Sequence, residues 1–128
     1  MVAALQSPDG PDIAIFDATN TTRKRRSWAE STLATHGFRV MFLEPLCTDD
    51  AIIRSNIREV KLKSPDYIGM NEEDAIRDFL RRIEHYSRVY EPVDDGGDEE
   101  HYSYIKLIDV GRRVVANRVQ GPLYGRLL

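Results

Sequence analysis

Residues 12–28 read DIAIFDATNTTRKRRSW, and how this stretch folds decides the architecture of the chain. The apolar run Ile13 to Phe16 is too short for a helix and suits a buried strand. It meets Asp17, after which Asn20, Thr21 and Thr22 offer side-chain oxygens that can cap a helix. The pattern predicts a helix from about Asn20 to His36, stopped at Gly37. Strand, aspartate, helix is the opening unit of an α/β layered fold.

Outward from that unit the alternation continues. Phe38 to Leu43 (FRVMFL) is a second β-rich apolar run. Thr48, Asp49 and Asp50 open a second helix with Ile53, Ile57 and Val60 at helical spacing, ending before Ser64-Pro65. A third helix is capped by Asn71, carries acidic residues in its first turn and buries Ile76, Phe79, Leu80 and Ile83, with Pro92 ending it. The acidic stretch DDGGDEE (94–100) reads as a solvated loop. Tyr104 to Val110 and Val114 to Val119 read as two strands of a hairpin through Gly111. The order predicts a mostly parallel sheet flanked by helices, with a late β-hairpin. Two obvious parallel strands are few for a buried parallel sheet, so part of a larger sheet is expected.

The bulk properties narrow the function classes. At 128 residues, 41% hydrophobic and 30% charged, the chain makes one ordinary domain, with no internal repeat or domain boundary. A net charge of −3 argues against a general nucleic-acid binder. One cysteine forms no internal disulfide, and no apolar run approaches the ~18 residues needed to span a bilayer. No signal-peptide core is evident at the N-terminus, so a cytoplasmic protein without membrane partners is expected.

Several residues carry chemistry. An aspartate just past a strand can coordinate Mg²⁺ or accept a proton, or simply cap the next helix, and Asp17 fits both readings. Arg23, Lys24, Arg25 and Arg26 spread around a full helical turn, so most face solvent and about one points toward the strand tips. Cys47 follows the second apolar run, either as a reactive thiol or as a packing residue. His36, His85 and His101 lie at no metal-ligand spacing. Arg82 and Tyr86, four apart on the third helix, can clamp a phosphate and a hydroxyl or form a structural helix edge.

Five ordered blocks, FDATNTTRKRR (16–26), FLEPLC (42–47), NIREVKLKSPDY (56–67), DFLRRIEHY (78–86) and IKLIDVGRRVVANRVQ (105–120), resemble the kinase module of the 6-phosphofructo-2-kinase/fructose-2,6-bisphosphatase family. The resemblance covers about Ile13 to Gln120. It implies a P-loop kinase-like fold that moves the γ-phosphoryl of ATP, with Mg²⁺, to the 2-hydroxyl of fructose 6-phosphate. By position it implies an active-site role for Asp17, orienting the metal or the attacking hydroxyl, and for Cys47. Thr19, Arg25, Lys61, Arg82 and Tyr86 match residues that hold fructose 6-phosphate. Asn56, Ile57, Arg58, Glu59, Val60 and Lys61 match a segment lining ATP, with Lys61 reaching both substrates and, as a catalytic residue, stabilising charge on the transferred phosphoryl. On this reading Arg25 is selected from the basic run and its neighbours are surface.

The pattern also departs from the family. A P-loop kinase needs G-x-x-x-x-G-K-[ST], whose backbone N–H groups cradle phosphate, and this sequence contains none. The expected organisation is a flexible lead-in over 1–11, the C-terminal part of a kinase domain over 12–120 and a truncated tail over 121–128. The isolated chain is expected to be inactive, with a homo-oligomer or a missing N-terminal half as partner. The competing functions are a non-catalytic sugar-phosphate-binding or regulatory module, and a small nucleotide- or nucleic-acid-binding protein using RKRR, which the acidic balance disfavours.

Overall fold

The computed structural model describes residues 13–61 and 65–120, with Ser7 and Asp9. The rest of the expected lead-in, the tail over 121–128, residues 62–64 and the side chains of Val60 and Lys61 lie outside the described residues.

Helix α1 (Arg23–Ala34) begins where Thr22, extended at φ −117°, accepts a hydrogen bond from Arg25 N at 3.2 Å. It starts later than the sequence suggests because Asn20 takes φ +40°, outside the helical region. Its end is set by Gly37 at φ +80°, a conformation glycine adopts without a Cβ clash. Phe38 N then bonds back to Leu33 O at 3.2 Å. This turn uses Phe38 to Val40, so strand β1 spans Met41–Leu46, displaced from the expected Phe38–Leu43.

Helix α2 (Asp50–Asn56) is capped by Asp49, which accepts from Ala51 N and Ile52 N. It widens into a π-helical turn over Ile57–Lys61. A 3₁₀ turn (Pro65–Tyr67) precedes α3 (Glu72–Ser87), capped by Asn71 with Glu72, Glu73 and Asp74 in the first turn. The acidic start complements the helix dipole. Ala75 and Ile76 are buried, while Phe79, Leu80 and Ile83 are half-buried. Helix α3 stops at Ser87, five residues before Pro92, because the chain must cross to α1, where Glu91 N bonds Thr21 O at 2.8 Å.

Strands β2 (Ser103–Ile108) and β3 (Arg113–Asn117) form the expected hairpin through Gly111, at φ +84°. The sheet order is β1-β2-β3, with β1 parallel to β2 and β2 antiparallel to β3. The sheet is therefore mixed. Ile13 to Phe16 does not form the expected strand: it is irregular chain and exposed, Ile15 at 88%. Four apolar residues are stable as a buried strand only with a ladder partner, and none pairs with them among the described residues.

The core centres on Val93, Tyr102 and Tyr104, with Phe42 and Val115 against them. Beside it lie four buried polar groups, Arg26, Glu44, Glu99 and Lys106. The acidic loop is thus not simply solvated, nor are the neighbours of Arg25 all surface. Arg26 is 2% exposed and Glu99 3%. Arg26 donates from Nε and Nη2 to the two Glu99 carboxylate oxygens at 2.8 and 2.7 Å. It also donates to Glu91 O at 2.7 Å. A bidentate fork of this kind is what makes arginine tolerable in an interior. Burial pushes Glu99 up, but the hydrogen bonds from Arg26 and Asp94 N and the Arg26 charge outweigh it and hold Glu99 below its ordinary value.

Candidate functional site

In α/β sheets ligands gather beyond the C-terminal ends of parallel strands, because connecting loops and helix starts converge there. In this chain that region follows Leu46 of β1 and Ile108 of β2. It contains Cys47, Thr48 and Asp49 on one side and the turn Asp109–Arg112 on the other. Cys47 is exposed, its thiol 3.8 Å from Asp49 O. Asp109 Oδ1 accepts from Thr48 N at 2.7 Å and Asp49 N at 3.2 Å. The backbone hydrogen bond from Thr48 is the main cause that lowers the Asp109 pKa, and burial opposes it only in part. Arg112 pairs with Asp49 at 3.0 Å.

The Asp17 segment lies in exposed coil, with Thr19 also exposed. Arg25 is held by aromatic faces, 4.3 Å from the Trp28 ring centre and 5.5 Å from that of Phe16. Such stacking orients a guanidinium while leaving its N–H edges available.

Asn56 to Lys61 runs from the end of α2 through the π turn, a backbone form that recurs at functional sites. Ile57 is 1% exposed, its side chain packed into the interior. Arg58 pairs with Glu72 at 3.1 Å, and Glu59 accepts from the Ser55 hydroxyl at 2.9 Å. Beside this segment is an open groove of about 470 Å³ lined by four arginines (Arg54, Arg58, Arg77, Arg81), by Glu73 and Glu84, and by Ile76 and Leu80.

Arg82 and Tyr86 sit one turn apart on α3, about half exposed. Arg82 Nε lies 3.1 Å from Asp78 Oδ2, with a weaker pair to Asp66 at 3.9 Å. Its guanidinium is 5.5 Å from the Tyr67 ring centre. The Tyr67 hydroxyl donates to the same Asp78 oxygen at 2.9 Å. Burial and that hydrogen bond raise the Tyr67 pKa. The Tyr86 ring meets His85 edge-on.

No hydrogen bond or ion pair joins the Asp17–Arg25 group, Cys47 and the Arg82–Tyr86 pair to one another among the described residues. Asp109, Asp78 and Tyr67 join the candidate residues only in the folded chain. The signals were present: an aspartate directly after an apolar strand at Ile108-Asp109, and a carboxylate four before Arg82. Among the described residues no three His, Cys, Asp or Glu side chains gather to hold a metal by themselves, whereas a nucleotide-borne Mg²⁺ needs only one or two carboxylates beside the phosphates. Nor do these residues cradle a triphosphate, because the glycine-lysine loop is not in the sequence. No helix among the described residues is long and apolar enough to cross a membrane.

Comparison with known proteins places these features in context. The family described as 6-phosphofructo-2-kinase matches residues 1–128. A 6-phosphofructo-2-kinase/fructose-2,6-bisphosphatase of Gallus gallus is 51% identical over 122 residues, covering 95% of this chain and 26% of that protein. The Bos taurus 6-phosphofructo-2-kinase/fructose-2,6-bisphosphatase 1 is 51% identical over 114 residues, 89% of this chain and 24% of the relative. The Rattus norvegicus 6-phosphofructo-2-kinase/fructose-2,6-bisphosphatase 3 is 42% identical over 127 residues, 99% and 23%. The chain spans about a quarter of the length of these relatives.

Proposed function

The chain belongs to the 6-phosphofructo-2-kinase family, and from that premise we propose that it is the acceptor-side part of such a kinase, handling fructose 6-phosphate for phosphorylation at its 2-hydroxyl. On this reading the three-stranded sheet is part of a mostly parallel P-loop kinase fold acting in the cytoplasm. Asp17 orients the attacking hydroxyl. Arg82 grips the sugar phosphate through the guanidinium edge not turned to Asp78, with Tyr86 offering its phenol and Arg25 and Thr19 completing the contacts. Lys61 sits where charge migrates during transfer and Cys47 borders the site. Asn56 to Lys61 lies along the nucleotide. ATP with Mg²⁺ supplies the phosphoryl group when bound, and the phosphate loop that holds it comes from outside this sequence.

The observation that carries the reading is the Arg82–Tyr86 pair, half exposed one turn apart on α3 in a chain that the family matches throughout. Phosphoryl transfer depends on positioning and charge stabilisation together, so a chain without the cradle binds sugar phosphate but does not turn over. Titration calorimetry tests this. Fructose 6-phosphate gives a binding heat that Arg82→Ala removes, while MgATP shows no micromolar affinity and no fructose 2,6-bisphosphate forms. No heat with fructose 6-phosphate, or turnover by the chain alone, overturns the proposal. The missing loop also supports a second reading, a non-catalytic sugar-phosphate-binding module. That reading is favoured if adding a polypeptide bearing the loop restores no activity.

A further inference from the structure

The turn between β2 and β3 holds three consecutive left-handed residues, Asp109 at φ +50°, Val110 at +58° and Gly111 at +84°. Glycine takes this conformation freely, but a β-branched valine rarely does. Such strain persists only where surrounding contacts over-determine it. The contacts here reach some sixty residues back in the chain. Asp109 N donates to Leu46 O at 2.9 Å, fixing the turn to the tip of β1. Asp109 Oδ1 takes the N–H groups of Thr48 and Asp49, and the Thr48 hydroxyl lies 3.2 Å from each carboxylate oxygen. Arg112 Nη1 donates to Asp49 Oδ2 at 3.0 Å. The other Asp49 oxygen, Oδ1, accepts from Ala51 N at 2.9 Å and Ile52 N at 3.3 Å, capping α2.

We propose that this turn is a two-pronged latch, with Asp109 and Arg112 acting as positioning residues that set the Cys47–Asp49 loop and, through the Asp49 cap, the start of α2. Neither prong touches α2 directly. Asp109 fixes the backbone of Thr48 and Asp49, and Arg112 orients the carboxylate that caps the helix. The helix then carries this placement about two turns on to Asn56–Lys61, the segment assigned above to the nucleotide. The functional weight of the latch therefore rests on the proposed kinase reading, whereas its mechanics do not.

Amide hydrogen exchange on the full 128-residue chain tests the mechanics without any ligand, so a failure here is distinct from a failure of the kinase reading. In Asp109→Ala, the amides of Thr48 and Asp49 exchange about tenfold to hundredfold faster, as expected for losing a charged acceptor. The latch requires that Ala51, Ile52 and the Asn56–Lys61 amides accelerate too, although Asp109 bonds none of them. Amides of β3 stay protected. Asp109→Asn, which keeps an acceptor oxygen without the charge, recovers part of the protection at Thr48. Arg112→Ala, an exposed change that should leave folding intact, accelerates Ala51 and Ile52 while sparing Thr48. Alkylation of Cys47, the single cysteine, gives a second readout, faster in Asp109→Ala than in wild type. Acceleration confined to Thr48 and Asp49 overturns the proposal, because the carboxylate then only satisfies its neighbours. Uniform acceleration with a lowered unfolding midpoint overturns it as well.

Discussion

Replacing Arg26 by methionine tests whether the buried ion pair holds α1 to the acidic loop. The substitution leaves Glu99 3% exposed, with the Asp94 N–H at 3.1 Å as its remaining hydrogen bond. The carbonyls of Glu91 and Pro92 lose a donor at the same time. Breaking a buried pair by removing one partner costs about 3–5 kcal/mol, because the other charge stays desolvated. Against a total stability of about 5–15 kcal/mol for an ordinary domain, this is a large fraction. With a urea dependence of about 2 kcal/mol per molar, the midpoint falls by roughly 1.5–2.5 M. Urea unfolding followed by far-UV circular dichroism reads this directly. Arg25→Ala, on the exposed side of the same helix, should shift stability by no more than about 1 kcal/mol. The double variant Arg26→Met with Glu99→Leu should recover much of the loss, since a buried pair can be replaced by apolar groups at little net cost. An Arg26→Met midpoint equal to that of wild type refutes the reasoning, as does a double variant less stable than the single one.

Further outcomes follow from the same geometry. Glu99 and Asp109 both have depressed pKa values, so the stability they contribute is complete above their ordinary values of 4.5 and 3.8 and is lost as pH falls through the lower folded ones. Thermal midpoints should therefore hold steady from about pH 5 upward and drop below about pH 4.5, with Asp109→Asn showing a shallower drop. Arg82→Ala should cost less than about 1 kcal/mol of stability, because its ion pairs with Asp78 and Asp66 are exposed, yet remove the fructose 6-phosphate heat. A large loss of stability instead makes Arg82 a structural residue. Ile13, Ile15 and Leu43 are exposed, and the β1 edge of the sheet has no partner among the described residues, so the chain should self-associate. Light scattering that reports only a monomer at high concentration counts against this.

Legibility in the sequence tracked how local the determining physics is. Caps and stops depend on a few neighbours, and Asn71, Asp49 and Gly37 act as read. The hairpin through Gly111 was equally visible, since turn residues and alternation lie together. The failures needed partners far away in the chain. Whether Ile13 to Phe16 becomes a strand depends on a neighbour, and Arg26 differs from Arg25 only by the angle at which it leaves α1 toward Glu99. The candidate site was legible mainly through resemblance. Asp17, Arg25 and Arg82 are unremarkable by type and spacing alone, and the carboxylates that hold Arg82 and the 47–49 loop come from other turns or other elements.

The parallel pairing of β1 with β2 also sets the order in which the chain can mature. Met41 pairs with Ser103 and Leu46 with Ile108, so the two strands are about 60 residues apart. The Arg26–Glu99 contact spans 73 residues. Individual helical turns and the β2–β3 hairpin close over nearby residues and can form within microseconds. The sheet cannot, because loop-closure entropy must be met before any ladder bond rewards it. On a ribosome adding about 5–20 residues per second, β1 waits roughly 3–12 s for its neighbour. During that interval Phe42 and Leu43 lack their ladder neighbours Tyr104 and Ile105, an unpaired apolar strand of the kind that aggregates before it folds.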